Sequence, residues 1–285
     1  MTNLKKNISR GLLHILIILA AFTWILPTLG VLISSFRPEA AVLNTGWWTV
    51  FTSPLELTRL TLANYQRVFE TAGMAMAFRN SFSLAVVGTL LPVIVAAFAA
   101  FGFSRLNFTG RKVFFAAMIG LIVVPLQMTF IPILRIYNSL GLSGTFSGVW
   151  LAHTGYGLPF AVFMLHNFFS ALPKDLFEAA YIDGASIIGV FFRLALPLSV
   201  PALASLVIFQ FLWVWNDLLV ALIYLGGTRD VAPLTLRLSS LVGSQGQSWH
   251  LLTSAAFISI VVPVIVFIAL QQYFVRGILA GSVKG

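Results

Sequence analysis

The chain has 285 residues, of which 59% are hydrophobic and only 9% charged, and its mean hydropathy is +0.97. Soluble domains carry about 25% charged residues, so composition excludes a water-soluble globular protein and points to an integral membrane protein. The formal net charge of +9 invites a nucleic-acid reading that its distribution along the chain argues against, and the absence of cysteine removes disulfide frameworks and thiolate metal sites.

A helix needs about 20 apolar residues to cross a bilayer. Six runs meet that length: roughly 11–36, 80–103, 113–134, 146–169, 201–225 and 251–275. The first follows Lys5, Lys6 and Arg10, as a cleaved signal would, but about 26 apolar residues exceed the 7–15 of a secretory h-region. A retained first span is therefore expected. Segment 37–79 is long and partly polar, with a Trp47–Trp48 pair suited to a membrane interface. Segment 104–112, SRLNFTGRK, is short and basic; 135–145 is short with two glycines; 226–250 is rich in Gly, Ser and Gln. The whole is expected to form one all-α transmembrane domain, 1–285, of six spans.

Six spans put both termini on one side. The N-terminus, 104–112, 170–200 and the tail after 275 hold ten Lys/Arg, including all five lysines, against seven in the opposite loops. Short basic loops favour the cytoplasmic face, so both termini are expected inside. Anionic lipid headgroups, and not nucleic acid, are then the expected partners of this charge. Prolines interrupt the spans at Pro27, Pro92, Pro125, Pro132, Pro159 and Pro263, and small residues such as Gly155, Gly157 and Ala161 allow close helix approach. No internal repeat is evident, which weighs against secondary transporters built from inverted repeats.

The stretch 177-FEAAYIDGASIIGVFFRLALPLSVP-201 breaks the apolar pattern between the fourth and fifth runs. Pro173, Asp175 and Glu178 suit the start of a short helix, Gly184 its end, and Ser186 the cap of a second short helix that runs to Pro197 and Pro201. Ala179, Ala180, Gly184 and Ala185 leave room for a partner's surface. Phe177, Phe191 and Phe192 are expected as an exposed apolar patch. Two physical readings stand: a docking site for another protein, or an amphipathic hairpin lying on headgroups.

Glu178-Ala179-Ala180, Asp183-Gly184-Ala185, Phe191, Leu196-Pro197 and Pro201 together resemble the EAA loop of inner-membrane permeases of ABC importers. The stretch 80–112, Trp215-Asn216-Asp217 and 276-RGILAGSVKG-285 resemble the MalG-like, carbohydrate-uptake branch of that family, so the similarity covers nearly the whole chain. Leu194 departs from the isoleucine often found there. The resemblance implies the type I importer permease fold, six transmembrane helices with cytoplasmic coupling helices, in the inner membrane. It implies a second homologous permease, two ATPase subunits and an extracytoplasmic sugar-binding protein as partners. Glu178, Ala179, Ala180, Asp183, Gly184 and Ala185 would contact an ATPase subunit, and Gly281, Ser282, Val283, Lys284 and Gly285 would reach between the ATPases. On residues alone that tail reads rather as a frayed terminus. Residues 148–165 resemble α-glucoside-type systems, such as trehalose, maltose or glucosylglycerol carriers.

No GxxxxGK[ST] phosphate loop occurs, so no cofactor is expected on this chain, and ATP with magnesium would be bound by the partner ATPases. His14, His153, His166 and His250 show no metal-ligand spacing and no Ser/His/Asp set is legible, so no catalytic residue is expected and a membrane hydrolase is a poor alternative. Asp217 is the most pointed intramembrane residue, because a carboxylate at that depth marks a cavity or pathway by default. Gln210, Trp213 and Asp217 share a helical face with Asn216 beside them: an aromatic plate with hydrogen-bonding groups for a sugar, or interhelical hydrogen bonding with Trp213 as packing. Gln127 and His153 are further pathway candidates, or helix-packing groups. The competing function is an ion-driven secondary transporter of small solutes.

Overall fold

The computed structural model describes the backbone of residues 2–71, 73–228, 230–244 and 248–282, and the side chains of 10–70, 73–228, 230–242 and 248–273. The described residues are helical with no strand. In chain order the helices are α1 (Thr2–Phe36), four short ones, α2 (Glu39–Asn44), α3 (Thr49–Thr52), α4 (Pro54–Thr58) and α5 (Ala63–Thr71), then α6 (Met74–Arg105), α7 (Arg111–Gly120), α8 (Leu126–Ser139) and α9 (Phe146–Ala171). They continue as α10 (Lys174–Ile182), α11 (Ile187–Val190), α12 (Leu196–Leu198), α13 (Val200–Trp215), α14 (Leu219–Leu225), α15 (Leu234–Ser244) and α16 (Trp249–Ser282).

Among the described residues, four stretches are long and apolar enough to cross a bilayer unaided: Arg10–Phe36, Met74–Arg105, Phe146–Ala171 and Trp249–Tyr273. Two more are bent pairs, Arg111–Val123 with Leu126–Ser139 at 104° and Ile187–Leu198 with Val200–Trp215 at 75°. The first bend has a local cause. A residue preceding proline is driven out of the α region, and Val124, before Pro125, is extended at φ −71°, ψ 119°. The other prolines named above are accommodated inside helices.

The fifth apolar run, 201–225, is not one helix, because α13 stops at Trp215 and α14 starts at Leu219. Polar side chains explain this break. The Asp217 carboxylate accepts hydrogen bonds from the backbone N–H groups of Val220 (3.2 Å) and Ala221 (3.0 Å), satisfying the first turn of α14.

The chain divides into two compact units, Met1–Ala75 with Arg237–Val261, and Met76–Leu236 with Val262–Gly285. In the first, segment 37–71 is organised around Arg37, which is 1% exposed. Its guanidinium donates to the carbonyls of Ala41 and Thr45 at 3.1 Å and to the hydroxyls of Thr45 and Thr49, with Glu56 3.5 Å away. A buried cation is tolerated when its terminal nitrogens are matched in this way, although the Nε of Arg37 has no hydrogen-bond partner. Asn64 ties the same corner together by donating to the carbonyls of Ser35 and Arg37. The Trp pair divides its roles: Trp47 packs on Gly30, whereas Trp48 is 59% exposed. On α1, Trp24 is 87% exposed amid half-exposed leucines and isoleucines, a surface that only a bilayer or another chain would cover.

The second unit has two apolar cores. One joins α6, α9 and α13 through small residues, Ala96, Ala97, Ala100, Ala161 and Ala202, and extends onto Phe177 and Phe191. Small side chains bring helix backbones close enough for dispersion to substitute for a hydrophobic force that lipid does not supply. The other surrounds Tyr224, whose hydroxyl lies 2.7 Å from that of Tyr156, itself 2.8 Å from the Thr129 hydroxyl.

Candidate functional site

Residues 173–198 form a capped hairpin. Helix α10 ends in a Schellman motif: the N–H of Ala185 donates to the Ala180 carbonyl and that of Gly184 to Tyr181. Gly184 has φ +79°, the left-handed conformation such a turn requires and an L side chain resists. Two residues later the Ser186 hydroxyl accepts from the Gly189 N–H at 3.1 Å and caps α11. One wide π-helical turn, Phe191–Ala195, then leads into α12. Pro173 sits at the cap position of α10, immediately before the first turn.

The hairpin has a buried face and an open one. Glu178, Ala179, Asp183, Gly184 and Ala185 are exposed, Ala180 is partly so, and a Cβ placed on Gly184 would meet nothing within 4 Å. Around them Ile182 (86% exposed), Ile188 (70%), Ile187 and Tyr181 make an apolar rim. The expected patch of three phenylalanines is corrected: Phe192 is exposed, but Phe177 and Phe191 are each 3% exposed. Phe191 stacks on Phe98 with centroids 4.6 Å apart and meets Phe101 at 5.2 Å, while the Arg105 guanidinium lies 3.8 Å over the Phe177 ring. Their buried position follows from the helical period, which turns them towards α6 while Glu178 and Asp183 face outwards. Gly281 and Ser282 close α16 without described side chains, and Val283, Lys284 and Gly285 lie outside the described residues.

Of the pathway candidates, Gln210, Trp213, Asp217 and His153 come together. Gln210 is buried and donates from Nε2 to the Gly88 carbonyl (3.2 Å) and weakly to that of His153 (3.5 Å). The His153 ring meets Trp213 edge-on at 5.2 Å, and its Nε2 lies 3.7 Å from Asp217 Oδ2, beyond hydrogen-bonding distance. The cavity that His153 and Asp217 share with Ser81 and Trp215 is only about 10 Å³, space for about one water. Among the described residues Asn216 makes no interhelical bond of the kind expected; its amide donates to the Leu212 carbonyl of α13, and the residue is exposed. Gln127, on α8, is exposed.

A larger space, about 600 Å³, opens beside the bend at Val124–Pro125, lined by Thr129, Tyr137, Gly155, Tyr156 and Phe160 among apolar neighbours. That volume lies in the range of small-molecule sites. Gly155 thus borders open space, whereas Gly157 is a close approach: a Cβ there would come within 2.6 Å of the Gln210 amide. Gly157→Ala is therefore expected to displace that amide and cost about 1–3 kcal/mol for a buried polar group losing its partners, read as a lower Tm in detergent. Adding Gln210→Ala should recover part of the loss; no recovery would show that Gln210 is not what the alanine methyl strikes.

Sequence reasoning missed Asn80 and Ser81. Both are buried, and they pin segment 230–234: Asn80 donates to the carbonyls of Asp230 and Ala232, and the Ser81 hydroxyl accepts from the Leu234 N–H. The adjacent polar pair at the head of an apolar run was the available signal. Tyr156 and Thr129 carried none, since their pairing links two helices.

Among proteins of known function, the chain is 58% identical to the osmoprotective compounds uptake permease protein GgtD of Synechocystis sp., over 99% of this chain and 95% of that one. It is 49% identical to the alpha-glucoside transport system permease protein AglG of Rhizobium meliloti, over 89% and 67% of the two chains. It is 32% identical to the arabinooligosaccharides transport system permease protein AraQ of Halalkalibacterium halodurans, over 93% of each. The fold matches a chain of a bacterial ABC transporter that imports the acidic polysaccharide alginate, with TM-score 0.77 and 20% identity over 95% of this chain and 98% of that one. A second match, with TM-score 0.65 and 15% identity over 94% and 95%, comes from an alginate ABC transporter in complex with an alginate pentasaccharide-bound periplasmic protein. Residues 88–280 match the family described as the binding-protein-dependent transport system inner membrane component. The resemblance seen in the EAA-like loop is thereby borne out, as is the all-α permease fold: the chain belongs to the inner-membrane permeases of binding-protein-dependent ABC importers, a family of multi-pass membrane transport components.

Proposed function

We propose that this chain is one of two permease subunits of an ATP-driven importer for an α-glucoside or a glucoside-like compatible solute. The observation that carries the reading is the capped hairpin, whose open face holds Glu178, Asp183 and Gly184 inside an apolar rim. Short capped helices can be gripped and moved as a body because their ends are already hydrogen-bonded. The names of the 58% and 49% identical relatives support the solute class.

In this reading residues 1–285 form a single transmembrane domain with both termini in the cytoplasm, and the hairpin docks in a cleft of an ATPase subunit. ATP and magnesium sit on the two ATPases; this chain binds neither and catalyses nothing. ATPase closure draws the hairpins together and opens the cavity outwards, where a binding protein delivers solute to the segments 37–79 and 226–250. The tail Gly281–Gly285 reaches between the ATPases. Trp213 and Asn216 offer exposed groups to solute, whereas Gln210, His153 and Asp217 stand behind them as buried polar support.

Reconstitution tests this directly. Purified with its partner permease and ATPases, the chain should catalyse vanadate-sensitive, binding-protein-dependent uptake of radiolabelled trehalose or glucosylglycerol into liposomes. Ion-gradient-driven, vanadate-insensitive uptake by this chain alone would establish the secondary transporter instead.

A further inference from the structure

The hairpin is joined to more than the two helices that flank it in sequence. Arg105 is the last residue of α6. Its Nη2 donates to the carbonyls of Phe169 and, at 2.8 Å, Leu172, at the C-terminal end of α9. The same guanidinium lies over Phe177, the buried residue of α10, with its central carbon 3.8 Å from the ring centroid. One side chain therefore meets three elements: the end of α6, the end of α9 and the first arm of the hairpin. The second arm is seated on α6 as well, through Phe191 against Phe98 and Phe101.

We propose that Arg105 is a positioning residue that locks the hairpin to α6, so that displacement of the hairpin moves α6 and α9 together. The chemistry is specific to arginine. Carbonyl oxygens at a helix C-terminus lack intrahelical donors and attract cations. A planar guanidinium can serve two of them while keeping its face on an aromatic ring, which a lysine ammonium does not do. Without the clamp, α10 would remain linked to α9 through the short connection 172–173 and through non-directional apolar packing around Phe177, and a push on the hairpin could be absorbed there. The inference rests on the coupling role proposed above.

The chain has no cysteine, so two introduced ones report cleanly. Spin labels at Lys174→Cys on α10 and Ile94→Cys on α6, both exposed positions, are placed in the full transporter with its partner permease and ATPases. In the otherwise unsubstituted chain their separation should stay constant between the nucleotide-free and vanadate-trapped states. With Arg105→Gln or Arg105→Lys the ATPases should remain attached, yet trapping should shift or split the distance by roughly 2–5 Å, the scale of helix shifts in switching proteins. A role confined to stability would instead lower Tm and leave the distance constant in both states. Phe177→Leu, which removes the ring but keeps an apolar side chain, should show the same shift to a smaller extent and covers the case in which the arginine variants do not accumulate. A constant distance in assembled Arg105 variants, or in Phe177→Leu alone if the former fail to fold, overturns the clamp. Absence of any ATPase on the unsubstituted chain overturns the coupling role itself, and the clamp with it.

Discussion

Replacing Gly184 by arginine is expected to leave the subunit in the membrane near its normal level but to reduce the ATPase retained on it roughly tenfold or more, a loss of about 1.4 kcal/mol or above in binding. The separation of these effects follows from the geometry. Gly184 is exposed, and no atom lies within 4 Å of a Cβ built on it, so the isolated subunit resists the change only through backbone strain at φ +79°. A left-handed L residue costs about 1–2 kcal/mol, little against the 5–15 kcal/mol of a typical fold. At a docking surface, by contrast, a long cation fills the space a partner needs. Gly184→Asn provides the control, since asparagine tolerates the left-handed region and is far shorter; it should keep most of the ATPase. The measurement is co-purification with a tagged permease together with vanadate-sensitive hydrolysis. Full retention and normal hydrolysis in the arginine variant would remove this surface from the interface.

At Asp217 the choice of replacement separates two roles. Asp217→Ala takes both acceptors from the first turn of α14 and leaves the N–H groups of Val220 and Ala221 without partners. Unpaired buried groups cost about 1–3 kcal/mol each, so transport and Tm should both fall, with uptake down roughly tenfold. Asp217→Asn keeps a carbonyl that can still accept, and capping by asparagine equals that by aspartate, so uptake should stay within about threefold of normal. Initial uptake rates and thermal unfolding, measured side by side, decide the matter. If the asparagine variant is as stable as the parent and as inactive as the alanine variant, the negative charge itself serves the solute or His153, and helix capping is not the residue's main task.

Local signals carried the parts of this protein that depend on local physics. The hairpin was legible because its devices lie within a few residues of one another: a proline before the first turn, a glycine at a left-handed position, a serine three residues from the N–H it caps. The apolar runs were legible because only helices satisfy their backbone in lipid, and length alone reveals them. Where expectation and structure part over helix continuity, the group that ends the helix lies close by in sequence. The apolar pattern presents 201–225 as one continuous span, whereas Asp217 caps the start of a new helix within it. Pro125 interrupts the third run more strongly than the other prolines interrupt theirs, because it forces Val124 out of the helical region.

Readable from the residues alone were the class of molecule, the number of apolar runs, and the capped loop that interrupts them between the fourth and fifth. Each follows from composition, length or short-range spacing. Direction came from long-range packing. Phe177 and Phe191 turn inwards onto α6 and Arg105, Gln210 turns into the hollow left by Gly157, and Asn80 reaches 150 residues along the chain to hold Asp230. The physical reason is that a helix in lipid gains nothing from mere burial of apolar surface, since lipid is as apolar as its neighbours. Which face packs inwards is therefore settled by close fit and by a few polar contacts between distant segments, and neither is written in the periodicity of one segment.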